Sequence, residues 1–395
     1  MNTIESIAKS LKGKKVILRL DLNVPLHKQN ITDTNRIDKI LPTLNFLINN
    51  KAKILILSHV GRPKGRMIKD LSMEPICRYL KKKINQNIHL IKTNINHHIE
   101  KNLFDNKNIL MFENLRFYNG EEENNEEFAK ILASFGDLYV NDAFSCSHRK
   151  HASIFSITKY LPSYAGIQLM SEITALNRIT KNITRPITCI IGGSKISTKI
   201  NIIKNLISKF DNLIFVGGMA NNILRNKKFQ IGKSIFEENC EDIVEDIFTL
   251  SKKENCKLIY PIDVSVSKKI QGKGSVKKIS EVLEDDLILD IGPQTVSILN
   301  KTIEESKTVL WNGPAGYFEN ENFKNGSLEI ARKIVEKNKK NEIYSVVGGG
   351  DTVAALNNFG LTEHFNFVST AGGAFLEFLE GKELPGIKAL EKNYV

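Results

Sequence analysis

The sequence predicts an α/β protein built on largely parallel sheets, and three observations predict it. Short β-branched and leucine-rich runs alternate with helical patterns along the whole chain, the signature of βαβ units. The runs of the first part lead at once into polar or cationic residues, whereas most runs of the second part lead into glycines. The 395 residues, 41% hydrophobic and 25% charged, have ordinary globular composition and suffice for two domains at ~150 residues each.

The first part carries strand-like runs at Val16-Ile17-Leu18, Ile54-Leu55-Ile56-Leu57, Ile109-Leu110-Met111-Phe112 and Leu138-Tyr139-Val140. Next, Leu169, Met170, Ile173, Leu176 and Ile179 recur at helical spacing, which predicts a helix near residues 166–180 joining the domains. The second part supplies Thr188-Cys189-Ile190-Ile191, Leu213-Ile214-Phe215-Val216, Leu258-Ile259-Tyr260, Val309-Leu310-Trp311, Tyr344-Ser345-Val346-Val347 and Phe367-Val368. Ligands of open α/β sheets bind beyond the carboxyl ends of the strands. The residues just past each run therefore carry the functional argument.

In the second part, Gly192-Gly193-Ser194-Lys195-Ile196-Ser197-Thr198-Lys199 precedes a stripe of Ile196, Ile200, Ile203, Ile207 and Phe210, which places Lys195 and Lys199 in the opening turns of a helix. Cations there oppose the helix dipole unless an anion shares the site, and glycine amides at a helix N-terminus are good phosphate donors. Further turns follow at Gly217-Gly218-Met219-Ala220, Asn312-Gly313-Pro314, Gly348-Gly349-Gly350-Asp351-Thr352 and Gly372-Gly373-Ala374. Several such turns along one sheet edge make a groove suited to a nucleotide. Asp351 suits a helix N-cap and, beside a triphosphate, Mg²⁺ held directly or through water. Gly232-Lys233-Ser234 lacks the earlier glycine of a phosphate-binding P-loop, since Lys227 stands there, and no G-x-G-x-x-G follows a strand, so the standard P-loop and dehydrogenase patterns are excluded.

In the first part, Arg36, Arg62, Arg116 and Arg149 occupy or closely follow the strand ends. Converging from separate segments, they form a concentrated site for carboxylate and phosphate, which the planar guanidinium matches bidentately. His59 and His148 show no metal-ligand spacing.

The charge balance, 56 Lys+Arg against 44 Asp+Glu for a net +12, raises a basic nucleic-acid-binding protein as the competing class. That class expects Lys and Arg grouped with stacking aromatics. Here the arginines gather at strand ends, the lysines are scattered, and the excess reads as solvated faces. The five cysteines are widely separated with no C-x-x-C pair, which suggests neither a disulfide framework nor a zinc site. The N-terminus Met1-Asn2-Thr3-Ile4-Glu5-Ser6 places an acid early, and no apolar run approaches the ~18 residues of a membrane span. The expectation is a cytoplasmic protein with no membrane partner.

The motifs as a set resemble phosphoglycerate kinase from end to end. The segments that carry the resemblance are Arg19-Leu20-Asp21-Leu22-Asn23-Val24-Pro25, Ser58-His59-Val60-Gly61-Arg62-Pro63, Glu113-Asn114-Leu115-Arg116-Phe117, Asn141-Asp142-Ala143-Phe144, Gly192-Gly193-Ser194-Lys195, Leu310-Trp311-Asn312-Gly313-Pro314, Gly348-Gly349-Gly350-Asp351-Thr352 and Leu384-Pro385-Gly386. The resemblance implies two Rossmann-like domains facing across a cleft, at 1–168 and 169–377, with a tail, 378–395, returning to the first. It implies a 3-phosphoglycerate or 1,3-bisphosphoglycerate site at Asp21, Asn23, Arg36, His59, Arg62, Arg116 and Arg149. It implies an ATP/ADP site at Gly192, Gly193, Lys195, Lys199, Gly217, Gly218, Asn312, Glu319, Gly348, Gly349, Gly350, Asp351 and Thr352, in a protein expected to be a monomer. Within that set Glu319 resembles the ribose acceptor, Asp351 the residue that positions Mg²⁺, and Arg36 and Lys199 the cations that hold the phosphoryl group in flight, with Lys195 close by. Two departures stand out: Ser145-Cys146-Ser147 replaces a common Gly-Thr-Ala, and Ala371 replaces the first glycine of a Gly-Gly-Gly run.

The implied reaction moves a phosphoryl group between an acyl phosphate and ADP. Its acceptor in reverse is a carboxylate already ionised at neutral pH, so no general base is needed. In-line positioning, positive charge and exclusion of water by domain closure are what the protein must supply.

Overall fold

The computed structural model describes residues 1–95, 103–105 and 107–392. The chain divides into two compact units, Met1–Thr174 with Glu383–Val395, and Ala175–Lys382.

The first unit holds β1 (Lys15–Leu20), a hairpin of β2 (Leu26–His27) and β3 (Asn30–Ile31), then β4 (Lys53–Leu57), β5 (His89–Ile91), β6 (Ile109–Phe112), β7 (Leu138–Asp142) and β8 (Ser163–Ala165). Its six-stranded sheet has the order β5-β6-β4-β1-β7-β8, parallel throughout. The four central strands read as apolar runs because both sheet faces are covered. Leu18 stands beside Ile56 on one side and Val140 on the other. Val16, Leu18 and Leu20 pack on one face against Ile37, Ile40, Leu44 and Leu47 of the helix Asn35–Asn49. The two-residue period of a strand turns Ile17 and Arg19 to the opposite face, where Arg19 is fully buried. The chain leaves β1 toward β4 and later returns to its other flank at β7. This makes the carboxyl end of β1 a topological switch point, where open α/β sheets bind ligands.

The helix Ile167–Thr180 follows β8, and its first turn is tied to the last residue of β7. Asp142 Oδ1 accepts from Leu169 N at 2.9 Å and Thr43 Oγ1 from Ile167 N at 3.0 Å. These satisfy two of the amide donors that every helix start leaves open. The division between the units falls inside this helix, after Thr174. At the other chain end, Gly386 N donates to Ser147 O at 2.8 Å, within the first unit.

The second unit contains β9 (Ile187–Ile191), β10 (Asn212–Phe215), β11 (Lys257–Ile259), β12 (Asp263–Ser267), β13 (Ser275–Lys278), β14 (Leu287–Ile291), β15 (Thr308–Asn312), β16 (Tyr344–Val347) and β17 (Phe367–Val368). Its main sheet, β11-β10-β9-β15-β16-β17, is again parallel. In chain order this is third, second, first, fourth, fifth, sixth: the doubly wound arrangement, with its switch point between β9 and β15. Both units are thus Rossmann-like. A three-stranded antiparallel sheet, β13-β12-β14, stands apart from it. All five cysteines are free thiols and buried. Among the described residues no helix is long and apolar enough to cross a membrane.

Candidate active site

The two units each carry one set of predicted site residues. In the first, Asp21 and Asn23 follow β1, His59 and Arg62 follow β4, Arg116 lies in the turn after β6, Arg149 follows β7, and Arg36 opens the helix Asn35–Asn49. A hydrogen-bonded chain connects most of them. Arg36 Nη1 donates to Asp21 Oδ2 at 3.0 Å and to Asn23 O at 3.2 Å. Asn23 Oδ1 accepts from Gly61 N at 2.9 Å, and Gly61 O accepts from Arg116 Nη1 at 2.8 Å. The Gly61 turn has φ +63 and is held by Asn114, whose Nδ2 donates to Val60 O at 2.7 Å and Leu71 O at 2.9 Å.

Arg62 and Arg149 are exposed and sit outside that chain; Arg149 Nε donates to His148 Nε2 at 3.1 Å. Burial pulls the Arg116 guanidinium below its ordinary value, opposed by the nearby Glu122. Burial, then the positive charges of Arg19 and Arg116, hold His59 well below the usual imidazole range. His151 is pulled down to about 3 by burial, then Arg116, Arg19 and Arg149. Both rings are therefore neutral at pH 7, and the positive charge of this half resides on arginine. Such a surface binds carboxylate and phosphate oxygens.

Ser145 and Cys146 lie in the turn Phe144–Cys146. The Ser145 hydroxyl donates to Asp21 Oδ2, and Arg149 N donates to Cys146 O at 3.1 Å. The buried Arg19 contacts His59 Nδ1 at 3.1 Å through Nη2. Sequence reasoning passes over it as a site residue, because nothing in the motif distinguishes a buried arginine from its exposed neighbours.

In the second unit the glycines bring backbones into contact at the switch point. A Cβ on Gly313, at φ +111, would stand 2.5 Å from Gly192 Cα, closer than real atoms approach, so only glycine fits. Lys199 bridges the same crossing: its Nζ donates to Gly192 O and Asn312 Oδ1, both at 2.7 Å. Asn312 Nδ2 in turn donates to Gly348 O at 2.8 Å, and Thr352 Oγ1 accepts from Gly313 N at 2.7 Å. Burial lowers the Lys199 pKa, opposed by Cys189 and Asp351. Both lysines fall before the helix they were predicted to open: Lys195 is exposed and precedes the turn Ser197–Lys199, and Lys199 stands at the N-cap of the helix Ile200–Ile207. The regular helix starts later because its first turn is the tighter 3-10 turn Ser197–Lys199, common at helix N-termini.

A cavity of about 350 Å³ is lined by Gly193, Gly217, Gly218, Glu319 and Asp351 of the predicted set. Gly192, Lys195, Lys199, Asn312, Gly348, Gly349, Gly350 and Thr352 do not line it. Much of the rest of its lining is apolar, with Pro261, Val264, Ile288, Leu289, Tyr317 and Phe318. Several of these come from β12 and β14, whose antiparallel sheet was not among the predicted elements. Asp290 also lines it, accepting from Ile291 N at 2.9 Å and Gly326 N at 2.7 Å; burial pushes its carboxyl up to about 7. Ala371 is buried and lies outside the cavity lining; the positive φ in its turn falls on Gly372, at +55.

Asp351 is the exposed carboxylate in the first turn of the helix Gly350–Phe359. Among the described residues no cluster of three or more His, Cys, Asp or Glu side chains is arranged for a metal. Asp351, which lines the cavity together with Glu319 and Asp290, suits Mg²⁺ that arrives on a nucleotide, since this ion takes one or two protein carboxylates with phosphate and water oxygens.

Comparison with known proteins gives a consistent result. A family model described as Phosphoglycerate kinase matches residues 4–382. A phosphoglycerate kinase of Wolbachia sp. subsp. Drosophila simulans is 44% identical over 387 residues, 97% of this chain and 97% of its own length. That of Zymomonas mobilis is 42% identical, covering 98% of this chain and 99% of its own. Among solved structures, phosphoglycerate kinase from Coxiella burnetii matches with a TM-score of 0.89 at 41% identity, covering 98% of each chain. The Pyrococcus horikoshii enzyme matches with a TM-score of 0.83 at 28% identity, covering 100% of this chain and 99% of its own. None of these comparisons favours a nucleic-acid-binding protein. Two parallel sheets with opposite strand-end chemistry, matched along nearly the whole sequence, show that the chain belongs to the phosphoglycerate kinase family.

Proposed function

We propose that the chain transfers a phosphoryl group reversibly between 1,3-bisphosphoglycerate and ADP, giving 3-phosphoglycerate and ATP, with the two anion sets in separate roles. Asp21, Asn23, Arg36, His59, Arg62, Arg116 and Arg149 bind the phosphoglycerate. Gly192, Gly193, Gly217, Gly218, Asn312, Gly348, Gly349, Gly350 and Thr352 form the nucleotide's phosphate cradle, Glu319 takes the ribose hydroxyls, and the apolar lining of the cavity takes the base. The observation that carries this reading is the pairing of an arginine chain at one switch point with a glycine crossing bridged by Lys199 at the other.

In the ATP-consuming direction, a carboxylate oxygen attacks the γ-phosphorus and the β–γ bridging bond breaks. The nucleophile is already ionised, so the neutral state of His59 and His151 costs the reaction nothing. Arg36 and Lys199 carry the charge that stabilises the phosphoryl group in transit, with Lys195 supporting it. Asp351 would position Mg²⁺ brought on the nucleotide, directly or through water, and the ion would supply charge neutralisation at the phosphate oxygens. Because the two sets lie on different units, transfer requires hinge closure, which also excludes water from the acyl phosphate. We place the enzyme in the cytoplasm as a monomer.

The test is a coupled assay with ATP, Mg²⁺ and 3-phosphoglycerate that follows reduction of the 1,3-bisphosphoglycerate formed. Turnover that vanishes without 3-phosphoglycerate or with EDTA supports the reading. Folded, ATP-binding protein without turnover overturns it. Duplex binding that persists at physiological salt would favour the nucleic-acid alternative; binding that vanishes there is nonspecific attraction.

A further inference from the structure

We propose that Glu121 and Ser153 are positioning residues: through Arg19 they fix the His59 ring as the tautomer with Nδ1 bare and the proton on Nε2. The kinetic part of this proposal rests on the functional reading above; the tautomer does not.

The argument begins with a cost. Arg19 and Glu121 are both fully buried, and buried charges persist only when paired and hydrogen-bonded. Their closest approach, Arg19 Nη2 to Glu121 Oε1, is 4.0 Å, so the direct ion pair is loose. Ser153 joins them. Its Oγ donates to Glu121 Oε1 at 2.6 Å, while Arg19 Nε donates to that same Oγ at 2.8 Å. A serine hydroxyl has one proton and two lone pairs. Giving the proton to the carboxylate turns a lone pair toward the arginine, and the carboxylate thereby sets the direction of the chain. Glu121 Oε2 also accepts from Ser153 N at 2.9 Å, which locks the serine backbone.

Anchored this way, and by a bond from Nη1 to Leu20 O, Arg19 aims Nη2 at His59 Nδ1, 3.1 Å away. Guanidinium is donor-only, so Nδ1 must present a lone pair and the proton of the neutral ring sits on Nε2. Among the described residues Nε2 has no hydrogen-bonding partner, yet it is not among the sealed, unpartnered buried atoms. The ring's one N–H therefore remains available to an anion at the strand ends. The charged groups acting on His59 are Arg19, Arg116 and Arg36, with His151 beside them, and with burial they keep the ring neutral. His151 Nδ1 stands 3.8 Å from Glu121 Oε1 without a hydrogen bond, so it does not replace Ser153 in the chain.

The experiment uses full-length protein labelled with ¹⁵N-histidine. Long-range ¹H–¹⁵N correlation identifies His59 by the resonances lost in His59→Gln. The expected wild-type pattern is a bare Nδ1 and a protonated Nε2. In Ser153→Ala the pattern moves toward a mixture of tautomers, and KM for 3-phosphoglycerate rises about fivefold, the loss of about one hydrogen bond. KM for MgATP and kcat stay within about twofold, because the nucleotide set lies on the other unit. Ser153→Thr, which keeps the hydroxyl, restores both readouts, and Glu121→Gln shifts the pattern in the same sense as Ser153→Ala. A wild-type ring protonated on Nδ1 overturns the proposal. So does a folded Ser153→Ala with unchanged pattern and KM, or a folded Ser153→Thr that fails to restore them. A correct pattern in protein without turnover leaves the tautomer assignment standing and overturns the proposed function alone.

Discussion

Ser145 and Asp21 are hydrogen-bonded: the serine hydroxyl donates to Asp21 Oδ2, the oxygen that also accepts from Arg36 Nη1 at 3.0 Å. Glycine commonly occupies the Ser145 position in the family the sequence resembles. Here the Ser145 hydroxyl joins Arg36 Nη1 and the Asn23 amide as a donor to the carboxylate that orients a proposed transfer residue. Ser145→Gly is expected to raise KM for 3-phosphoglycerate by about twofold to fivefold, the worth of one hydrogen bond, with kcat held within about twofold. Steady-state kinetics at saturating MgATP decide it, and an unchanged KM would show that Arg36 and the Asn23 amide suffice to hold Asp21.

Lys199 offers a sharper effect. Its Nζ spans Gly192 O and Asn312 Oδ1 at 2.7 Å each, so it is pre-aimed before any phosphate arrives. Lys199→Met should lower kcat by about 100-fold, the scale for removing one donor from a transition-state charge site. Single-turnover quench separates this from slow product release. Because burial pulls the Lys199 pKa down, its charge is lost as pH rises at a lower pH than for a surface lysine. The alkaline limb of the kcat/KM profile for MgATP, which reports the free enzyme, should therefore begin below the ordinary lysine range.

The glycine crossing can be divided by two substitutions. Gly313→Ala places a Cβ 2.5 Å from Gly192 Cα at φ +111 and should cost at least about 1–3 kcal/mol in backbone strain alone, visible in urea unfolding. Gly350→Ala meets nothing within 4 Å. It should leave stability within about 0.5 kcal/mol while weakening ATP binding, because only a bound nucleotide would approach that position. Calorimetric titration showing wild-type affinity would remove Gly350 from the phosphate cradle.

Much of this architecture was legible in the residues, and most of the exceptions have physical causes. Central strands such as Ile54-Leu55-Ile56-Leu57 announce themselves because burial on both faces demands unbroken apolar runs. Edge strands β5 and β8, three residues each, were not read from the sequence, whereas β11 and β17, which are no longer than these, were. The apolar lining of the nucleotide cavity escaped because it is assembled from Val264, Ile288 and Tyr317, which are distant in sequence, and β12 and β14 belong to a sheet outside the βαβ rhythm. Arginines at strand ends were readable as an anion site. The chain from Glu121 to Ser153 to Arg19 was not, since residues separated by 134 and 32 positions carry no common periodicity, and only their shared burial makes them a unit.

Asp142 gives a pH dependence with a defined sign. Burial raises its carboxyl to about 7, opposed by hydrogen bonds from Thr43, Leu169 and Gln168. Between about pH 4 and pH 7 the folded state keeps a proton that the unfolded state has released. Folding is thus favoured less as pH rises through this window, and the loss is complete above it. Asp142→Asn should flatten that part of the profile, read as the difference between mutant and wild-type urea midpoints from pH 4 to pH 8. A constant difference would show that the carboxyl stays ionised as the cap of Leu169.

The first unit is assembled from both ends of the polypeptide: Gly386 N bonds Ser147 O, two residues from Arg149, and a Cβ on Gly386 would stand 2.7 Å from Ile154 Cγ2. On a translating ribosome residues 1–174 emerge before the nucleotide unit, Ala175–Lys382, and the helix Pro385–Lys392 that joins them emerges after it. The nucleotide unit, one unbroken stretch of chain, can mature while its neighbour still waits for that helix. A chain stopped between Lys382 and Pro385 would then hold a folded nucleotide pocket beside an unfinished anion pocket, so the helix Pro385–Lys392 licenses the enzyme to work.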